Sequence, residues 1–195
     1  MIKPFEFYFD FISPYSFLAH KEIRKIEKRE GVKIKYNPIL LGGLHNLHGI
    51  KAPAFIPAKA RHMIRDCKLI AERNGVRFKF NSYFPIRSLN LMRGVLVAEE
   101  DNIKNYYIDN IFNTIWQDGL NMNDEIIIQK VLKNMSVNPK TFSLRSTSSL
   151  IKDSLRKKTN AAFEKGIFGA PTFIVNNKIF WGQDRIEFAL KEANK

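Results

Sequence analysis

The first apolar run of the chain, FEFYF at Phe5–Phe9, predicts a buried strand, and Asp10 closes it. The pattern then breaks at Ser13-Pro14 and changes period. Ala19, Ile23 and Ile26 line one face among Lys21, Glu22, Arg24, Lys25, Glu27 and Lys28, which predicts an amphipathic helix. Ser13 suits its N-cap and Pro14 its first position, where the fixed φ and missing N–H do no harm. Gly31 ends it. Val32–Leu40 alternates apolar and polar residues and predicts a second strand, so the first forty residues form a βαβ unit with parallel strands. At the other end, Thr172–Val175 and Lys178–Trp181 predict a hairpin around Asn176-Asn177, residues that tolerate positive φ. A last helix follows, with Ile186, Ala189, Leu190 and Ala193 on one face and Asp184 at its positive end.

Between the two ends the period is helical. Ala60, Met63, Ile64, Cys67 and Ala71 form one stripe, Ile108, Ile111, Phe112 and Ile115 a second, and Ile128, Val131, Leu132 and Met135 a third. Asn74–Arg87 and Asn134–Thr141 read as breaks, and LLGGLHNLHGI, residues 40–50, as loop. A βαβ unit and a ββα unit can join into one four-stranded sheet with helices on both faces. The expected fold class is therefore α/β and thioredoxin-like, with residues 1–41 and 167–195 forming the sheet domain and residues 42–166 a helical insertion domain.

Composition narrows the class. The chain has 195 residues, 45% hydrophobic and 12% aromatic, which is globular rather than disordered. Thirty-two Lys and Arg against 19 acids give a formal charge of +13. The cations are spread along every helical segment rather than gathered in a block, so most of them read as solvated surface and no nucleic-acid partner is expected. One cysteine, Cys67, excludes an intramolecular disulfide framework and a dithiol redox pair, and it falls on an apolar stripe as an inert thiol would. The start, MIKPFEFYFDF, lacks the uninterrupted apolar stretch of a signal peptide, and no run is long enough to span a membrane. The expectation is a soluble cytoplasmic protein without a membrane partner.

Four stretches could carry chemistry. Ser13 puts a hydroxyl beside the free N–H groups of a helix N-terminus, where an anion is favoured, although serine is also an ordinary cap. In GIFGAPTFIV, residues 166–175, Ala170-Pro171 precedes a strand. A cis bond there would leave the Ala170 backbone turned outward for an extended, peptide-like ligand; an ordinary loop proline is the alternative. Gln183 and Asp184 could receive a ligand's carboxylate and ammonium, or simply cap a helix. Lys59 stands in a helix first turn, where a cation is unfavourable unless an anion binds. His45 and His48 lack a third ligand, so no metal site is expected.

These stretches occur in this order in a known family. FDFISPYS, IPAKARHMIRD, GIFGAPTF and FWGQDRIEF together make the chain resemble the 2-hydroxychromene-2-carboxylate isomerases, DsbA-like relatives of the kappa-class glutathione transferases, over about residues 4–194. The resemblance implies a glutathione-dependent isomerase acting on a small aromatic or electrophilic molecule, and a homodimer. It implies that Ser13 hydrogen-bonds the glutathione sulfur and favours its thiolate, with Pro14 and Tyr15 completing the motif. It further implies that Lys59 contacts glutathione, that Ala170, before Pro171, pairs with its cysteinyl unit, and that Gln183 and Asp184 hold its γ-glutamyl end. In one place the chain departs from the family pattern: Ile50 stands where many members carry an Asn. A kappa-type transferase or peroxidase, and a redox-inactive peptide-binding protein, are the other readings.

Overall fold

The computed structural model describes residues 5–195. Residues 1–4, part of the reading against a signal peptide and of the expected sheet domain, lie outside the described residues. The strand β1 (Phe5–Phe9) leads to α1 (Pro14–Glu30) and β2 (Ile34–Pro38). Then come α2 (Leu41–His48), α3 (Pro57–Arg73), α4 (Leu89–Glu100), α5 (Lys104–Asn113), α6 (Glu125–Asn134), α7 (Pro139–Ser146) and α8 (Ser149–Glu164). The hairpin β3 (Thr172–Val175) and β4 (Lys178–Trp181), a 3-10 turn at Gln183–Arg185 and α9 (Ile186–Ala193) complete the fold. No described helix is long and apolar enough to cross a membrane.

The four strands form one sheet in the order β2-β1-β3-β4. β1 and β2 are parallel, with Phe7 opposite Tyr36, while β3 is antiparallel to β1, with Phe173 opposite Phe7. Alternation along β1 sends its side chains to two layers. Phe5, Phe7 and Phe9 pack with α1 and α9, through residues such as Ile23 and Ala189, whereas Tyr8 packs with Leu44 of α2 and Ala162 of α8. Phe7 stacks on both Phe9 and Phe173 at 5.4 Å between ring centres. Each such pair contributes about 0.5–1.5 kcal/mol beyond the area it buries. Residues of the sheet and of the helical segment share one buried cluster, in which Phe11 and Phe9 meet Phe112. The three helical stripes supply that cluster: Met63 and Cys67, all four residues of the Ile108–Ile115 stripe, and Val131, Leu132 and Met135 are buried.

Three local expectations change. Residues 41–48 form α2 rather than loop, because Leu44 has a buried place to fill and the Leu41 N–H finds an acceptor in Asp10 Oδ2 at 2.8 Å. The break at Asn134–Thr141 is shorter than expected: Asn138 caps α7 by accepting from the Thr141 N–H, and Pro139 opens it. The last helix starts later than Asp184. Its first turn is 3-10, and Asp184 makes no capping hydrogen bond.

Candidate active site

The Ser13 loop is held from below by buried groups. Asp10 is fully buried, and its carboxylate accepts from the Ile12 N–H at 3.1 Å and the Leu41 N–H at 2.8 Å. Burial pushes the Asp10 carboxyl above its ordinary value, and these donors only partly offset that. The Ser13 N–H donates to the Asp10 carbonyl at 3.1 Å. From the helical segment, Trp116 Nε1 donates to the Phe11 carbonyl at 2.8 Å, so the residues just before Ser13 are clamped from both sides.

Ser13 itself is a cap with a second bond. Its Oγ accepts from the Ser16 N–H at 3.1 Å and donates to the Ala170 carbonyl, also at 3.1 Å. Only 5% of the residue is exposed. The Ala170–Pro171 bond is cis. The expectation of an Ala170 backbone wholly free for a ligand needs correction, because its carbonyl is engaged by Ser13. Pro171 in turn accepts from the Gly182 N–H at 2.9 Å, which brings the Gln183 turn beside the same point.

Two glycines let these segments meet. A Cβ on Gly169 would lie 2.6 Å from Trp181 Nε1. Gly182 has φ +114°, and a Cβ there would lie 2.5 Å from Asp184 Oδ1. Trp181 and Phe168 meet at 5.0 Å between centres with their planes tilted by 58°, and both remain exposed, forming an aromatic ledge beside Gly169-Ala170. The sequence reading singled out neither ring. A tryptophan on an edge strand is a weak signal until its neighbour is known. Asp10 was also missed; its trace was a lone acid in an otherwise apolar FYFDFI.

The structure thus gathers Ser13, Pro14, Ala170, Pro171 and, by way of Gly182, Gln183. Tyr15 is half-buried and donates to Asp66 Oδ2 of α3 at 2.8 Å. Burial first, and then Asp66, hold its phenol well above the ordinary value, so it stays protonated. Cys67, the next residue of α3, is fully buried and its thiol is pushed up by burial, which leaves it unreactive. Lys59 is exposed in the first turn of α3, seven residues before Asp66, roughly 10 Å along the helix. Asp184 points to solvent and pairs with Arg185 Nη1 at 2.8 Å. His48 Nε2 donates to the Ile167 carbonyl at 2.8 Å and thereby ties α2 to the loop before Ala170. Ile50, just past α2, is partly exposed.

Against this geometry the comparisons are informative. The family model for the DSBA-like thioredoxin domain matches residues 5–193. The chain belongs to that family. It is 27% identical to a 2-hydroxychromene-2-carboxylate isomerase of Pseudomonas putida, over 96% of this chain and 92% of that protein. It is 25% identical to glutathione S-transferase kappa 1 of Rattus norvegicus, over 93% of this chain and 87% of the transferase. The solved structure of a 2-hydroxychromene-2-carboxylate isomerase superposes with a TM-score of 0.88 at 25% identity, covering 98% of this chain and 94% of that one. In this chain Ser13 caps α1, and Cys67 lies buried in α3.

Proposed function

We propose that this chain is a glutathione-dependent isomerase of the 2-hydroxychromene-2-carboxylate type. The observation that carries the reading is Ser13: a hydroxyl at the N-terminus of a 17-residue helix, hydrogen-bonded to the residue before Pro171. The donor set suits glutathione. The helix N-terminus and the hydroxyl suit a thiolate, Asp184 suits an ammonium, and Lys59 suits a carboxylate. Glutathione, when bound, supplies a sulfur that adds to a conjugated carbon and leaves again after rotation about the bond made single.

The chain's own groups have the following parts in this reading. A free thiol titrates near about 8.5, so little of it is ionised at neutral pH. Ser13 turns its hydrogen from the Ala170 carbonyl to the sulfur, and the α1 N–H groups add a positive potential; both favour the thiolate. The Ala170 carbonyl released in that turn becomes an acceptor for the tripeptide backbone. Phe168 and Trp181 offer exposed apolar rings, tilted to each other, for an aromatic substrate. The net positive surface attracts both anionic reactants.

The test is Ser13→Ala. Loss of the cap costs about 1 kcal/mol, so the fold survives. Turnover at saturating glutathione, followed by the absorbance change of the chromene acid, is expected to fall at least about ten-fold, the effect of ~1.4 kcal/mol. Wild-type turnover in the variant would overturn the proposal. A kappa-type transferase is the second reading, favoured by the likeness to the rat enzyme. Stable conjugates with an aryl halide, without isomerisation, would select it. The homodimer belongs to the same proposal and is checked by sedimentation.

A further inference from the structure

The helix α8 packs against both α2 and α4, and the three enclose a cleft of about 700 Å3. The cleft lies on the α8 side of the sheet, where Tyr8 points, whereas α1 and its Ser13 cap belong to the layer of Phe7 and Phe9. None of its lining residues belongs to the Ser13 constellation.

Its chemistry is two-sided. Leu40, Leu89 and Leu155 give it apolar walls, while Arg93, Lys152 and Arg156 bring three cations against the single carboxylate of Asp153. Asp153 pairs with Arg156 at 3.0 Å across one exposed turn of α8, a weak pairing. Arg93 has no carboxylate partner among the described residues. Its Nε is buried and lacks any hydrogen-bond partner, and its Nη1 reaches Asn90 Oδ1 at 3.1 Å. Burial, with no acid beside it among the described residues, pushes this guanidinium below its ordinary value.

Gly43 points the same way. It lies in the α2 wall of the cleft, and glycine weakens a helix relative to alanine. The fold does not require it: its φ is not in the left-handed range, and a Cβ would rest 3.4 Å from Leu40 Cδ2, an ordinary contact with a flexible side chain. What the missing side chain leaves is open space in the cleft.

We propose that this cleft is a second ligand site, which takes a small amphipathic organic acid with its carboxylate on Arg93 and Arg156 and its apolar body against Leu40, Leu89 and Leu155. The volume suits a one- or two-ring molecule. Two guanidinium forks suit a carboxylate better than a neutral group does, and the leucine walls separate such an acid from a bare inorganic anion.

The measurement is calorimetric titration with 1-naphthoate, set beside 1-naphthalenemethanol and inorganic phosphate. Naphthoate is expected to bind one per chain, and the alcohol and phosphate each about ten-fold more weakly or worse. Arg93→Gln and Arg156→Gln are each expected to weaken naphthoate about ten-fold, as loss of a charged hydrogen bond does. Gly43→Leu fills the cleft and is expected to abolish binding. Ser13→Ala and Trp181→Ala are expected to leave it unchanged, so failure of the glutathione reading and failure of this one are distinguishable. No heat with millimolar naphthoate, equal binding of the alcohol or phosphate, wild-type affinity in the arginine or Gly43 variants, or loss in Trp181→Ala would each overturn the assignment.

Discussion

Asp184 shows how much one residue's meaning depends on its neighbours. In sequence a helix cap and a ligand carboxylate look alike at this position. Among the described residues it caps nothing and pairs only with exposed Arg185, an interaction worth about 0–1 kcal/mol. Asp184→Asn is therefore expected to leave the unfolding free energy within about 0.5 kcal/mol of wild type. If the side chain receives the γ-glutamyl ammonium, the same change lowers glutathione affinity roughly ten-fold, since a hydrogen bond to a charged group contributes ~1.5–3 kcal/mol. Calorimetry beside a urea melt separates the two, and an unchanged affinity removes Asp184 from the site. Ser13 differs in kind, because its cap and its proposed chemistry use the same oxygen. Only turnover, not stability, tells its two roles apart.

Among the elements, α1 is tied to α5 and β2 by a polar network beneath its exposed face. His20, fully buried, stacks on Phe112, donates from Nε2 to Asp109 Oδ1 at 2.7 Å and accepts at Nδ1 from the Tyr36 hydroxyl at 3.3 Å. Arg24 reaches both oxygens of Asp109, at 2.9 and 3.1 Å, with its guanidinium over the Tyr36 ring. Burial would raise the Asp109 carboxyl, but His20 and Arg24 outweigh it and hold it low. Burial holds the His20 imidazole below its ordinary 6.5 despite the pull of Asp109. A folded pKa below the unfolded one gives a stability contribution that is complete above about pH 6.5 and is lost as pH falls through the folded value. Urea melts at about pH 7.5 and about pH 5.5 are expected to show a larger loss for wild type than for His20→Gln, because only the imidazole must take up a proton on unfolding. Equal losses would show that His20 does not set the acid limb.

At the scale of the molecule, the site exists only where the two ends of the chain meet. The Ser13–Ala170 hydrogen bond joins residues 157 apart, and α1 also packs against the turn at Gln183–Arg185. A ligand bridging these segments binds the native state alone and must raise the melting temperature. Millimolar glutathione is expected to raise it while dithiothreitol, a thiol without the tripeptide's charges, does not. A thermal scan with no shift for glutathione, or equal shifts for both, removes glutathione as the ligand.

What the sequence determined by itself was local. The apolar run of β1, the Ser13-Pro14 cap, the Asn176-Asn177 hairpin turn and the helical stripes follow from steric preferences and periodicities that act within a few residues, and the structure keeps each of them. The sheet was legible because strand, helix, strand followed by a hairpin leaves few ways to join the halves. Tertiary structure decided the rest. The segment 41–48 carries two glycines and two histidines, and its own propensity does not call for a helix. Docking of Leu44 and the reach of Asp10 across 31 residues made it one. Asp10 became a buried brace and Trp181 a ledge through partners far away in the chain. A hydrogen bond or an electrostatic field depends on distance in space, and spacing along the sequence does not encode that distance until the chain has folded.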